Sequence, residues 1–342
     1  MNQKMITTKS TFNTKYQNPA GYSIDFDVLQ EFESCLDPLS PQSCQIPCRV
    51  LGYGEISTVF EIDVEKMEGL AFKRMSIFEE PQEMGEYLGT YIEYNRALEE
   101  DVGVHLPSHG YAAFVNETGR PIFYIIQRKL PAPSIGSKAL HLLDRTDIVI
   151  LFQCVLRELS KVWRFNCQHD RCEMGIDGQI SNWVIDDFNP QDPCLDEDVC
   201  LLYVDTSTPM MRINGVEQMD MELLLRAAPS FLAWILRLIF MQDVVDRYYD
   251  FRLVVIDLLA NFYKEQKTEL IPDLIIITND FFAGEAADLE VEPIHEDEVR
   301  AYYREDAFIW SLYLSARRLD RFLHHNVLRR EYPYILPGKI KR

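Results

Sequence analysis

Two segments in the middle of the chain place acidic and amide side chains beside apolar stretches. In GIDGQISNWVI at 175–185, Asp177 and Asn182 are five positions apart, and Asn182 leads directly into an apolar stretch. In LLYVDTSTP, Asp205 ends another such stretch. Carboxylate oxygens can orient or deprotonate a hydroxyl, and carboxylate and amide oxygens are ligands of Mg²⁺. Both segments also have a structural interpretation, as an Asp-Gly turn and as an aspartate that opens a turn after a strand.

A third segment, LGYGEISTVFEI at 51–62, combines closely spaced glycines with alternating apolar residues. It suits either a hairpin whose backbone N–H groups approach phosphates or a plain tight turn between two strands. Fourteen residues after Val59, Lys73 stands in LAFKRM, on a predicted strand whose apolar neighbours would bury its stem. An exposed strand lysine is the simpler interpretation of Lys73 taken alone.

The predicted elements change type along the chain. Residues 1–48 are mixed polar and are predicted to form an N-terminal extension with one short helix at 27–35. The alternating pattern of 49–76 predicts three short antiparallel strands, followed by a helix at 81–100 and a buried strand at 121–130.

The second half is predicted to be mostly helical, with two short strands within 178–186 and 199–207. An acidic insert at 186–199 separates these strands and is typical of a solvated hairpin tip, because it lacks the spaced glycine and terminal glutamate of an EF-hand. Long amphipathic helices are expected at 144–166, 219–241, 242–264 and 296–329.

This order of elements resembles the two-lobed protein-kinase-like fold, which includes the aminoglycoside and choline phosphotransferases. The resemblance covers roughly residues 49–265. It implies an α+β fold class, with a small β-rich N-lobe that contains one helix and a larger, mostly helical C-lobe. The implied domains are an N-terminal extension at 1–48, an N-lobe with the nucleotide-binding sheet at 49–130 and a helical C-lobe with the catalytic loop at 131–342.

In the N-lobe, the resemblance rests on the glycine segment and the lysine. Gly52, Gly54, Ser57 and Val59 occupy the positions of G-x-G-x-x-G-x-V, with serine in place of the third glycine. In that family the glycines let backbone N–H groups approach nucleotide phosphates, and the valine packs on the base. Lys73 resembles the V-A-I-K lysine that holds the α- and β-phosphates.

The resemblance also implies an acidic partner for Lys73 on the following helix. Glu93, twenty residues after Lys73, is the assigned partner, and Glu86 is the alternative. Gln127 opens residues 127–130, whose backbone is expected to border the base of the nucleotide.

In the C-lobe, Asp177 and Asn182 have the spacing of the H-R-D-x-x-x-x-N loop, and Asp205 resembles the aspartate of D-F-G. The resemblance makes Asp177 the residue that orients or deprotonates the acceptor hydroxyl. Asn182 and Asp205 are then the ligands of Mg²⁺.

Both C-lobe segments depart from the family pattern. Gly175 and Ile176 precede the catalytic aspartate, and Thr206 and Ser207 replace the Phe and Gly of D-F-G. A competing assignment starts the loop at His169–Asp170, but it would put Gly175 where the asparagine should be.

The resemblance implies an ATP- and Mg²⁺-dependent phosphotransferase with an alcohol group as acceptor. About a dozen residues, TSTPMMRINGVE at 206–217, separate Asp205 from the next predicted helix. That length is too short for a regulated activation segment, so a small-molecule hydroxyl is the expected acceptor. The alternatives are a pseudokinase or nucleotide-binding scaffold without transfer activity, and an α+β protein unrelated to kinases.

The charge balance limits the partners. The chain has 54 Asp plus Glu against 34 Lys plus Arg, a formal net charge of −20 at pH 7. Such a field repels nucleic acid and anionic lipid, so neither nucleic acid nor a membrane is an expected partner. The first twenty residues lack an apolar targeting core, and the run FLAWILRLIF at 231–240 is about half as long as a membrane span. A cytoplasmic location is expected.

Eight cysteines in 342 residues are too sparse for a disulfide scaffold, which favours reduced thiols. Cys167, His169 and Cys172 raise the question of zinc. Their C-x-H-x-x-C spacing has no second half downstream, so ordinary thiols are the preferred interpretation.

Overall fold

The computed structural model describes residues 13–38, 40–54, 56–226 and 245–323, which fall into two compact units. The first unit holds the described part of Met1–Leu88 together with Ser108–Gln127. The second holds Gly89–Pro107 and the described residues from Arg128 onward. An antiparallel sheet in the N-terminal region and helices in the C-terminal region confirm the predicted α+β class.

The first unit is built on a sheet whose strands follow the order β1-β5-β6-β4-β3-β2. The β2–β3, β3–β4, β5–β6 and β1–β5 pairs are antiparallel. The three strands predicted within 49–76 and the strand predicted at 121–130 are present. The bounds are β1 Lys15–Gln17, β2 Cys48–Tyr53, β3 Ser57–Ile62, β4 Leu70–Met75, β5 His109–Val115 and β6 Pro121–Arg128.

Helix α1 (Phe26–Cys35) packs on one face of this sheet. Asp25 caps the helix by accepting a hydrogen bond from the N–H of Val28 at 3.3 Å. Leu29 and Phe32 lie three residues apart on its apolar face and are fully buried. The rings of Phe32 and Phe60 meet edge to face at 5.5 Å. The short helix predicted in the N-terminal extension therefore forms part of the core of the first unit.

The same core contains a buried ion pair. Arg74 on β4 donates to both carboxylate oxygens of Glu33 on α1, at 2.7 and 2.6 Å. Tyr124 on β6 donates its hydroxyl to Glu33 at 2.6 Å. The side chains of Arg74 and Glu33 are only 8% and 2% exposed, so each charge depends on the other for its solvation.

Cys35 and Cys44 form a disulfide with a Cα–Cα distance of 5.1 Å. The expectation of reduced thiols is therefore wrong for this pair. A cysteine count indicates whether a scaffold of disulfides is present, but it does not reveal one local pair brought together at the end of a helix. The free cysteines of the described residues are Cys48, Cys154, Cys167, Cys172, Cys194 and Cys200.

The second unit is mostly helical, as predicted. Its two small sheets have the orders β11-β10-β7 and β8-β9. The helices are α2 Pro81–Arg96, whose residues from Gly89 onward belong to this unit, α3 Gly136–Ala139, α4 Arg145–Gln168, α5 Glu222–Arg226, α6 Phe251–Lys264, α7 Ile271–Ala283 and α8 Glu296–Leu323. The strands are β7 Cys172–Met174, β8 Trp183–Ile185, β9 Leu201–Tyr203, β10 Met211–Ile213 and β11 Val216–Glu217.

A turn of π-helix, Ala97–Val102, continues α2. The predicted helix at 219–241 is described only as far as α5, and the apolar run at 231–240 lies outside the described residues. The predicted helix at 296–329 is described as far as residue 323. Of the helices that are described, none has the length and apolarity to cross a membrane.

Candidate active site

The glycine segment forms a hairpin between β2 and β3. Gly52 pairs with Val59 across the strands, and the N–H of Gly54 donates to the carbonyl of Ser57 at 2.9 Å. A Cβ atom on Gly54 would lie 2.6 Å from the hydroxyl oxygen of Ser57, so the observed position of the buried Ser57 side chain favours glycine at position 54. Serine in place of the third glycine is thus accommodated within the hairpin.

The strand register places three of the predicted nucleotide-binding residues in one row across the sheet. Gly52 is opposite Val59, and Val59 is opposite Lys73. Directly opposite residues share a face of a sheet, whereas their neighbours Phe60 and Phe72 are opposite each other and face the core. A lysine beside a glycine-containing hairpin is suited to hold an anion.

Gln127 lies near the end of β6, opposite His109. Strand β6 is the neighbour of β4, the strand that carries Lys73. Gln127 thus belongs to the same sheet as the row, and its role beside the base stays a prediction.

In the second unit, Asp177, Asn182 and Asp205 meet at one end of the β8–β9 ribbon. The Asn182 side-chain amide donates to the Asp177 carbonyl at 3.3 Å, and the Asn182 carbonyl accepts from the Val204 N–H at 2.9 Å. Since β8 begins after Asn182 and β9 ends before Val204, their antiparallel pairing brings Asn182 and Asp205 together. The structure thus brings together these three residues assigned from the sequence, and their roles stay predictions.

The charges of the cluster perturb one another. Burial, followed by the negative charges of Asp257 and Asp205, raises the pKa of Asp177 to about 7. Burial, followed by the charges of Asp205 and Asp177, also raises the pKa of Tyr94. A carboxylate whose pKa is near neutrality is suited to accept a proton, and adjacent carboxylates favour a cation.

Backbone contacts explain how Gly175 and Ile176 can precede the aspartate. Tyr94 on α2 donates its hydroxyl to the Gly175 carbonyl at 2.9 Å. The Gly175 N–H donates to the Met210 carbonyl at 2.9 Å, and the Ile176 N–H donates to the Tyr248 carbonyl at 3.2 Å. A Cβ atom on residue 175 would lie 3.0 Å from that Tyr248 oxygen, which favours glycine there.

The far side of the loop is anchored on α6. The Ile180 N–H donates to the buried Asn261 side-chain oxygen at 2.9 Å. A Cβ atom on Gly178 would lie 2.6 Å from a methyl carbon of Val254, so this glycine allows α6 to approach. Sequence reasoning did not identify Tyr94 or Asn261, because their hydrogen bonds depend on contacts between distant parts of the chain.

The acidic residues proposed to pair with Lys73 have partners of their own. Glu93 on α2 is half-exposed and accepts from Arg96 at 2.7 Å. Glu86 accepts from the Gln82 side-chain amide at 2.8 Å. The assignment of either glutamate to Lys73 stays a prediction.

A model of the family described as "Family of unknown function (DUF6206)" matches residues 45–321, most of the chain. The chain belongs to DUF6206. No curated protein matches it.

The solved structures that resemble this DUF6206 chain include the following three, each with a TM-score below 0.5. WaaP in complex with acyl carrier protein is 12% identical, covering 69% of this chain and 100% of that chain, with a TM-score of 0.34. The GDP and kanamycin complex of APH(2")-IIia is 13% identical, covering 76% of this chain and 99% of that chain, with a TM-score of 0.32. The GDP complex of aminoglycoside 2'-phosphotransferase-IIIa is 13% identical, covering 70% of this chain and 94% of that chain, with a TM-score of 0.31. Any functional proposal for the DUF6206 chain therefore rests on its own residues.

The side-chain oxygen atoms of Asp205 and Asn182 are chemically suited to bind a hard cation. The Ser207 hydroxyl donates to one Asp205 carboxylate oxygen at 2.8 Å and orients it. The Asn182 amide nitrogen is used as a donor to the loop, so its side-chain oxygen is left as an acceptor. Mg²⁺ is commonly bound by one or two such protein oxygens together with substrate phosphates.

Among the described residues, no group of three or more His, Cys, Asp or Glu side chains is placed to hold a metal by itself. A cation at Asn182 and Asp205 would therefore need ligands from phosphate or water. Cys167, His169 and Cys172 are among the residues covered by this finding, and the interpretation of these cysteines as ordinary thiols stays a prediction.

Proposed function

We propose that this chain is an ATP- and Mg²⁺-dependent phosphotransferase that acts on a hydroxyl of a small molecule. The observation that carries the proposal is the cluster of Asp177, Asn182 and Asp205 at one end of the β8–β9 ribbon. It supplies the proton acceptor and the hard oxygen ligands that phosphoryl transfer requires. A cytoplasmic location is part of the proposal.

Asp177 is the residue that faces the acceptor hydroxyl. One of its carboxylate oxygens accepts from the Gln179 N–H at 3.0 Å, which fixes the plane of the carboxylate. The other oxygen is then directed to the acceptor, where it takes the hydroxyl proton as the acceptor oxygen attacks the γ-phosphorus, the bond from that phosphorus to the β,γ-bridging oxygen breaks, and ADP leaves. Fixed geometry and a pKa near neutrality are the two properties expected of such a base.

Asn182 and Asp205 are the proposed ligands of Mg²⁺. When bound, the cation neutralises charge on the nucleotide phosphates and on the group in transfer. The hydrogen bond from Ser207 holds Asp205 in the orientation that this role needs.

The first unit supplies the proposed contacts to the nucleotide. Lys73 is assigned to the phosphates, and Val59 and the backbone at Gln127 are assigned to the base. The hairpin backbone at Gly52, Gly54 and Ser57 is assigned to the phosphates as well, and the Gly54 N–H would have to exchange its bond to the Ser57 carbonyl for one to a phosphate. Support comes from the cross-strand row, which puts Lys73 next to Val59 and Val59 next to the first glycine.

A small-molecule acceptor is supported by the segment after Asp205. Residues 211–217 fold into the short β10–β11 hairpin, which leaves no room before α5 for a long activation segment. A nucleotide-binding scaffold without transfer activity is the second candidate, and the ion pair that Glu93 makes with Arg96 favours it.

ATP with Mg²⁺ is expected to raise the melting temperature of the protein by several degrees at millimolar concentration, because a ligand that binds only the folded state stabilises it. Asp205→Ala should remove this shift. Asp198→Ala, in the exposed acidic insert, is the matched control and should retain it. Differential scanning fluorimetry measures both, and a wild-type protein with no shift would contradict nucleotide binding.

The pH dependence of transfer should report the ionisation of Asp177. Its raised pKa of about 7 means that the carboxyl is protonated, and unable to accept a proton, below that pH. kcat/KM is therefore expected to rise about tenfold per pH unit below about 7 and to level off above it. A profile that stays flat from about pH 5.5 to about pH 8.5 would exclude Asp177 as the titrating base.

A further inference from the structure

A cavity of about 390 Å³ lies within the second unit, and Asp177, Asn182 and Asp205 are not among the residues that line it. Its walls are the end of α2 with the π-helical turn, the last turn of α4, and strands β7 and β10. A volume of this size accommodates a small organic ligand. π-helical turns are rare and are often found at functional sites.

Charged groups on one wall give the cavity a net negative charge. Glu93, Arg96 and Asp101 line it, which amounts to two carboxylates and one guanidinium. Arg96 donates to Glu93 at 2.7 Å, to Asp101 at 2.9 and 3.2 Å, and to Glu100 at 3.4 Å. Because its nitrogens are all engaged in these bonds, the wall offers a ligand acceptors rather than donors.

His169 adds a further acceptor. Its Nδ1 lies 2.8 Å from the Phe165 carbonyl, which can only accept, so Nδ1 carries the proton. In the neutral ring, Nε2 is then a lone-pair acceptor, and no hydrogen bond to it occurs among the described residues. The ring stacks on Phe165 with centroids 4.0 Å apart, which fixes its direction. The carboxyl end of α4 adds partial negative charge nearby.

The remaining walls are apolar. Phe165, Met211, Ile213 and Ala97 contribute hydrocarbon and aromatic surface, and Cys172 contributes a half-buried thiol. Burial, followed by the charges of Glu93 and Asp101, raises the pKa of Cys172 against the opposing effect of Arg96. The potential inside the cavity is therefore negative.

We propose that this cavity binds a small organic cation, a protonated amine with an apolar or aromatic body. Its ammonium group would donate to Asp101, Glu93 and Nε2 of His169, and its body would pack on Phe165, Met211 and Ile213. The site requires neither the nucleotide nor the Asp177 cluster, so it stands or falls independently of the proposed phosphotransfer.

Benzylammonium is a suitable probe because it combines one ammonium group with one ring. We expect it to bind in the millimolar range, as is usual for a fragment of this size. Benzyl alcohol and benzoate, which have the same ring without the positive charge, should bind at least about tenfold more weakly. Titrations followed by NMR in the absence of nucleotide measure all three. Equal affinity for benzylammonium and benzyl alcohol would overturn the proposal.

Variants of the wall test the position of the ligand. Asp101→Asn and Glu93→Gln should each weaken benzylammonium binding about three- to tenfold, and His169→Phe, which keeps a ring on Phe165, should weaken it as well. Glu100→Gln is the matched control, since Glu100 pairs with Arg96 but does not line the cavity. Binding that is unchanged in both Asp101→Asn and Glu93→Gln would place the ligand elsewhere and refute the site.

The rate at which the Cys172 thiol is alkylated gives a second measure of ligand binding in the cavity. Bound benzylammonium should slow alkylation of Cys172 by iodoacetamide at least severalfold at saturation, measured by peptide mass spectrometry. Cys167 is exposed and five residues away, and its rate should not change. Equal protection of both cysteines, or of neither, would contradict the proposal.

Discussion

Asp177→Asn is expected to lower the rate of phosphotransfer by about a hundredfold to ten-thousandfold while leaving nucleotide binding nearly unchanged. Asparagine has the same shape, and its side-chain oxygen can still accept from the Gln179 N–H, so the loop should keep its conformation. An amide cannot take up the proton of the acceptor hydroxyl, however. Transfer from labelled ATP measures the loss, and the ATP-dependent shift in melting temperature measures binding.

The variant should also be at least as stable as the wild type at pH 8. The pKa of Asp177 in the folded protein, about 7, is above that of an unfolded aspartate, so ionisation of this carboxyl reduces stability as the pH rises between the two values. Replacement of Asp177 by asparagine, which does not ionise, removes this loss of stability. Lower activity combined with undiminished stability would distinguish a catalytic role from a structural one.

Asp186→Asn is the matched control for this experiment. Asp186 follows β8 at the opposite end of the same ribbon and pairs with Arg128 at 2.7 Å. Its replacement is expected to change the rate less than about twofold, because surface ion pairs contribute little. Transfer that is unaffected by Asp177→Asn would exclude Asp177 as the base and leave a nucleotide-binding scaffold or another proton acceptor.

Glu33→Gln is expected to lower the free energy of unfolding by about 3–5 kcal/mol. The change leaves the guanidinium of Arg74 buried beneath α1 without a negative partner. It also replaces the carboxylate that accepts the Tyr124 hydroxyl. Urea denaturation followed by circular dichroism measures the effect, and the slope of the transition shows whether the same surface is exposed on unfolding.

Two further variants distinguish the effect of the unpaired buried charge from a general sensitivity of the sheet to substitution. Arg49→Met breaks the ion pair with Glu61 on strands β2 and β3, where Arg49 is 71% exposed, and should cost less than about 1 kcal/mol. The double replacement Glu33→Leu with Arg74→Met removes both buried charges and should be less destabilising than Glu33→Gln alone. A cost below about 1 kcal/mol for Glu33→Gln would show that Arg74 finds other solvation.

Much of the fold follows from local pattern. The alternation in Ser57–Ile62 and Leu70–Met75 predicts strands because one face of the sheet is buried, and this signal depends only on neighbouring residues. The three-residue strand β1 is exposed along its length and carries no such signal. The packing of α1 on the sheet could not be predicted either, since an apolar helix face does not reveal which surface covers it.

The candidate site also contains some residues that could be predicted from the sequence and others that could not. Asp177, Asn182 and Asp205 could be predicted as a cluster because the family pattern encodes their spacing and the short strands between them. Tyr94 and Asn261 could not, because each supports the loop from a helix far away in sequence. Their types carry no signal of this role, since asparagine is mostly exposed in proteins and tyrosine is intermediate in burial.

The cross-strand row of Gly52, Val59 and Lys73 has a consequence for relatives of this chain. The lysine is aligned with the hairpin by the pairing of β3 with β4, not by the number of residues in the connection at 63–69. Insertions or deletions in that connection would preserve the alignment, whereas a slip of one residue in the pairing would turn Lys73 towards the core. Divergent homologues should therefore be recognised by strand register, and the interval of fourteen residues is free to vary during evolution.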